Sequence, residues 1–230
     1  MYGRRVRLRA SLSALAAAVA GAGWHAAAVD AVGPSEARVE IATAAQLKTY
    51  WSGTFRRLGR VYAGPSKVVW YDTATVTGCG ITAVGSSTYC RVDRTIYLDT
   101  GLFARSLGTI GDFAAATILA HEWGHEVQDE LGLFRWAVRH RYWVGKELQA
   151  DCYAGMFARH AERRGLLEPG DVEEGRALLS SLGDDEQMPR NSSQAHGTAA
   201  ERAEWFRRGY RTGSLAVCRS VYGALYGKRR

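Results

Sequence analysis

Residues 112–131, Asp-Phe-Ala-Ala-Ala-Thr-Ile-Leu-Ala-His-Glu-Trp-Gly-His-Glu-Val-Gln-Asp-Glu-Leu, decide how this chain folds and where its chemistry lies. The run holds no proline, opens on Asp112 as a candidate N-cap and is closed by Gly132, so it reads as one helix over 113–131. Residues 114–120 are apolar almost all round, which marks a buried helix. His121 and His125 follow, four apart and therefore on one face. Two neutral imidazoles so placed can share one metal ion, and zinc accepts them at about 2.0–2.1 Å. Glu122, beside the first histidine, is placed to act as general base on a water. Random sequence of this composition gives such a His-Glu-x-x-His match roughly once in a hundred chains. The bland alternative is an amphipathic helix with two surface histidines. Histidines at the end of a buried stretch need partners, however, and a metal supplies one.

A zinc site that does chemistry takes three protein ligands and keeps one position open. A second long helix, expected over 146–164 and stopped by Gly165, carries Glu147 and Asp151 four apart on one face. One acid for the metal and one for a ligand's far ring nitrogen is the expected division. Glu147 is therefore assigned as third ligand and Asp151 as the partner of a ligand histidine. The reverse assignment, with Asp151 on the metal, and a plain solvated charged face both stay open.

Outward from these helices the pattern is mixed. Leu47, Tyr50, Trp51, Phe55 and Leu58 give a helix over 44–58, and Gly64-Pro65 a turn. Residues 68–71 and 95–99 read as strands, and the Gly/Ser/Thr-rich stretch 77–90 as a loop held by cysteines. Further helices are expected over 169–182, from the capping box Thr198-Ala199-Ala200-Glu201 to about residue 208, and over 214–225. Residues 29–43 lack periodicity and read as a linker. A small sheet region followed by a mostly helical half gives an α+β fold, with one domain over 44–225.

The chain has 230 residues, 47% of them hydrophobic, enough for one sizeable core. Its net charge of +7 is concentrated at the start, in Arg4, Arg5, Arg7 and Arg9. An apolar, Ala-rich run and Ala26-Ala27-Ala28 follow, which is the anatomy of a secretory signal over 1–28. An uncleaved membrane anchor is the alternative. Removing the four arginines lowers +7 to +3, and no basic cluster or motif for nucleic acid remains. Export and an even count of four cysteines suggest two disulfides, and the local pair Cys79–Cys90 would leave Cys152–Cys218.

Three blocks carry a resemblance to a known family: His121-Glu-Trp-Gly-His125-Glu-Val-Gln128, Glu147-Leu-Gln-Ala-Asp-Cys-Tyr-Ala-Gly155 and His196-Gly-Thr-Ala-Ala-Glu-Arg202-Ala-Glu-Trp-Phe206. In this order they resemble the bacterial neutral zinc metallopeptidases, and the similarity extends back through Cys79-Gly80, Tyr89-Cys90 and Tyr97-Leu98-Asp99. The resemblance implies a zincin-type fold, the set His121, His125 and Glu147 around Zn2+, and a peptide or protein substrate. Glu126 departs from the pattern, because the family often shows a second histidine there. In related metallopeptidases a His or Tyr outside the metal set stabilises the tetrahedral oxyanion, and His196 is the candidate for that catalytic part. Asp184 or Asp185 could orient it; a structural histidine bonding its own turn is the alternative. Arg202 is expected to pair with a nearby acid. The strand around Ile96 is expected to offer its edge to an extended peptide. The expected function is thus a secreted zinc peptidase with Glu122 as base. A catalytically silent binding protein and a zinc hydrolase of a non-peptide amide are its rivals.

Overall fold

Pro34 and Arg57 bound the first helix of the computed structural model, which describes residues 32–185 and 187–227. The expected leader over 1–28 lies outside the described residues. In chain order the elements are α1 (Pro34–Arg57), β1 (Lys67–Tyr71), β2 (Thr75–Thr77), β3 (Gly80–Thr82), β4 (Thr88–Cys90) and β5 (Thr95–Asp99), then α2 (Thr100–Thr109), α3 (Asp112–Glu130), α4 (Leu133–Arg139), α5 (Trp143–Arg163), α6 (Asp171–Ser181), α7 (Ala199–Thr212), α8 (Leu215–Arg219) and α9 (Val221–Tyr226). A small sheet region followed by a helical half is the expected α+β arrangement.

The first difference from the sequence reading is α1. It begins at Pro34, so residues 34–43 are helix where a linker was expected. Proline suits a first helical turn, since its missing N–H has no partner there anyway. The buried face runs Val39, Glu40, Thr43, Leu47, Tyr50, Trp51 and Thr54. Its spacing is helical throughout, but two of its first three members are polar, and that hides the apolar periodicity.

The second difference concerns the sheet. Its strand order is β1-β5-β4, with Val68 opposite Ile96 in a parallel pair and Tyr89 opposite Ile96 in an antiparallel one. The strand around Ile96 is therefore central, and all five of its residues are buried. It has no edge to offer; the edge strand on that side is β4. Where a loop was expected from Thr77 on, β2, which ends at Thr77, and β3 form a small hairpin. Strands of three residues are too short to show alternation in sequence. The short helices α2 and α4 were not expected either, and α8 and α9 replace one helix over 214–225.

Both expected disulfides are present. Cys79–Cys90 ties the hairpin to β4, and Cys152–Cys218 ties α8 to α5. The core lies where α1, α2, α5 and α6 pack around α3, with α7 set against α5 and α6. Trp51 of α1 meets Tyr153 of α5 edge to face at 5.4 Å, and Phe55, Leu119, Trp123 and Leu148 are fully buried beside them. Each such side chain stabilises the fold by about 1.5–3 kcal/mol. Two glycines set the helix approaches that matter for the site. A Cβ on Gly124 would lie 3.1 Å from both Cα and the carbonyl oxygen of Ala150, so α3 and α5 touch at backbone level. A Cβ on Gly209 would collide with the Cys152 carbonyl, so α7 presses equally closely on α5. No described helix is long and apolar enough to cross a membrane.

Candidate metal centre

Helix α3 carries His121, Glu122 and His125 to the floor of a cleft of about 380 Å³. Helix α5, held close by the contact at Gly124, brings Glu147 opposite them. Oε2 of Glu147 lies 3.2 Å from Nε2 of His121 and 3.2 Å from Nε2 of His125. All three side chains are buried, and their donor atoms lie close enough together to hold one metal ion. Glu122 also lines the cleft, 6% exposed. Its carboxylate takes no hydrogen bond from any described residue, so it is free to meet a ligand.

The outer nitrogen of each histidine is fixed by a different partner. Nδ1 of His121 lies 2.7 Å from Oδ1 of Asp151. Asp151, completely buried, also accepts from Nε and Nη2 of Arg202, each at 2.9 Å. Burial would push the Asp151 carboxyl up, but the Arg202 guanidinium and His121 hold it below its usual range. It stays an acceptor, so Nδ1 of His121 is the donor. Asp151 is therefore placed behind His121, away from the cluster that can hold the metal.

His125 is held by Gln128, a residue to which sequence reasoning gave no part. Oε1 of Gln128 lies 2.9 Å from Nδ1 of His125, while its Nε2 donates to the Lys146 carbonyl at 2.7 Å and to Oε1 of Gln149 at 3.1 Å. A backbone carbonyl can only accept, so the amide nitrogen must face Lys146 and the amide oxygen must face His125. Nδ1 of His125 then carries the proton. Tyr222 of α9 donates to the same Gln149 oxygen at 3.1 Å, which links the C-terminal helix to this chain of bonds.

These constraints test whether a metal fits. With Nδ1 a donor on both histidines, two imidazole Nε2 atoms converge on a carboxylate oxygen, and only a proton or a metal cation reconciles them. Burial opposes a charge on His121, but the Asp151 and Glu147 carboxylates outweigh it and raise its pKa to about 9. For Glu147 burial is again opposed, first by the Lys146 ammonium and then by the histidines, and its carboxyl is held well below the usual range. The pocket is thus organised around positive charge. Two nitrogens and one oxygen, buried and fixed from behind, match the donor set of zinc.

Glu126 points elsewhere. It accepts a 2.5 Å hydrogen bond from Tyr62, itself bonded by Trp123, and lies beside Arg94 on the sheet side of α3. Burial pushes its pKa up to about 8. Its departure from the family pattern leaves the metal cluster untouched.

His196 lines the same cleft with a half-exposed ring. Of the two acids considered for it, Asp184 is the neighbour. Its Oδ1 lies 3.5 Å from Nδ1 of His196, and its Oδ2 accepts the backbone N–H groups of His196 and Gly197 at 2.6 and 2.7 Å. Asp185 instead accepts from the backbone of Gln187 and Met188. The following residue, Thr198, forms the expected capping box with Glu201 and starts α7, which brings Arg202 to Asp151.

Comparison with known proteins points the same way. The family described as "Putative neutral zinc metallopeptidase" matches residues 23–221. The chain is 35% identical over 188 residues to the uncharacterized protein YpfJ of Escherichia coli, covering 73% of this chain and 65% of that protein. It is 36% identical over 178 residues to the uncharacterized protein Rv2575 of Mycobacterium tuberculosis, covering 66% and 60%. The chain thus spans less than two thirds of the length of either relative. No solved structure matches it significantly. Because the family match runs through α3, α5 and α7, which supply every side chain of the buried cluster, the chain belongs to the neutral zinc metallopeptidase family, whose cofactor is zinc.

Proposed function

We propose that this protein is an exported zinc peptidase, with His121, His125 and Glu147 as the metal ligands and Glu122 as the general base. The observation that carries the reading is that both histidine Nε2 atoms lie 3.2 Å from Oε2 of Glu147 on the floor of an open cleft, with an unbonded carboxylate beside them. Zinc held there supplies Lewis-acid polarisation of a carbonyl and a water made acidic enough to attack near neutral pH. Glu122 accepts the proton of the attacking water as the new C–O bond forms, and returns it to the amine as the C–N bond breaks. His196 lines the same cleft with Nδ1 toward Asp184, and in its imidazolium form Nε2 also carries a proton to donate to the developing oxyanion. Asp151 and Gln128 keep the two imidazoles from turning.

The walls favour a peptide over a small amide. Thr88 and Tyr89 of the edge strand β4 line one side, where an extended peptide can pair with free backbone groups. Phe134 lies beside Tyr89, Leu178, Leu179 and Leu182 also line the cleft, and these apolar walls favour apolar side chains near the cut bond. Two disulfides suit an oxidising compartment, in keeping with export.

A peptide-library digest by the purified protein tests the reading. Cleavage beside apolar residues, lost on chelation and restored by zinc, is expected. A zinc-loaded protein that cuts no peptide in the library would overturn it.

A further inference from the structure

Lys146 stands in the wall of the cleft, one residue before Glu147 in the first turn of α5. Its Nζ lies 2.6 Å from Oε1 of Glu147. The other oxygen, Oε2, is the one that faces both histidines. The two oxygens of a single carboxylate are thus divided between a fixed cation on one side and the metal cluster on the other.

The position of Lys146 does not depend on Glu147 alone. Its ammonium sits 4.9 Å from the centre of the Phe134 ring, its side chain is only 14% exposed, and its backbone carbonyl is the group that orients Gln128. An ammonium held over an aromatic face and largely out of water does not readily give up an ion pair, because separation leaves two poorly solvated charges. A carboxylate can grip a metal with one oxygen or with both. Here the second oxygen is already engaged by the Lys146 ammonium in an ion pair of 2.6 Å, largely out of water.

We propose that Lys146 is a positioning residue that reserves Oε1 of Glu147, so that the carboxylate offers the metal Oε2 alone and a coordination position remains open. Helix α5 thereby sets two ligands from one residue. The Lys146 side chain fixes the carboxylate, and its carbonyl fixes His125 through Gln128. This inference rests on the metal centre of the proposed function and not on peptide hydrolysis.

Cobalt(II) substituted for zinc gives the test, because its visible absorption is strong in four-coordinate sites and weaker when a fifth ligand enters. Lys146→Met and Lys146→Leu keep an apolar stem against Phe134 and remove the charge; Lys146→Arg keeps the charge. The apolar variants are expected to lose band intensity at full cobalt occupancy, and the arginine variant to retain it. Equal intensity in wild type and both apolar variants, with unchanged far-UV circular dichroism, would overturn the role. X-ray absorption of the zinc-loaded wild type serves even if the variants fail to fold. Two carboxylate oxygens on the metal there would also overturn it. A wild type that takes up no cobalt removes the metal centre and this role together. Normal spectra with no hydrolysis would sink the peptidase reading and leave Lys146 in place.

Discussion

Arg202 grips Asp151 with two hydrogen bonds of 2.9 Å, and both side chains are buried. The pair lies behind His121 and joins the first turn of α7 to α5, about two turns of α7 ahead of the Gly209 contact. Replacing Arg202 by Met leaves a carboxylate in the core with its counter-charge gone. The expected loss is about 3–5 kcal/mol of stability, read from urea unfolding of the metal-free protein. A loss below about 1 kcal/mol, the size of an exposed ion pair, would show that water reaches Asp151.

Gln128→Ala removes the partner of His125 without touching the metal cluster. Zinc affinity should fall by about 10–100-fold, the usual cost of losing a partner behind a ligand histidine. Gln128→Glu should do no better, because a carboxylate cannot donate to the Lys146 carbonyl. Competition with a chelator measures both. Wild-type affinity in Gln128→Ala would mean that the ring of His125 is held by packing alone.

Glu40 on the buried face of α1 gives stability a pH dependence. Burial raises its pKa from the ordinary 4.5 to about 7. Between these values the folded state holds a proton that the unfolded chain has released, so stability falls as pH rises from 4.5 through 7 and stays lower above. Glu40→Gln should therefore stabilise the protein at pH 8, by at most about 3 kcal/mol, and make little difference at pH 4. Thermal melting at the two values checks the sign; equal shifts at both would contradict it.

The metal cluster is legible in sequence where helical spacing does the work. His121 and His125, like Glu147 and Asp151, are four apart on buried helices, and the structure brings the two faces together. What spacing cannot say is which acid faces the histidines and which lies behind one. That depends on the α5–α7 contact and on Arg202, 51 residues away from Asp151. Gln128 escaped because a glutamine on a helix usually means a solvated face. Its place three residues after His125 was the available signal. The start of α1 was hidden by Glu40 and Thr43 on its buried side, and the free edge was misplaced because strand order is set by pairing, which no single strand encodes.

Glu122→Gln tests the central claim most directly, with zinc content and peptide cleavage measured on the same preparation. The substitution keeps the shape of the side chain and removes its capacity to take a proton. A single zinc per chain should be retained, while kcat falls by at least about 10²–10⁴-fold. Cleavage at the wild-type rate by a fully zinc-loaded Glu122→Gln protein would contradict the account.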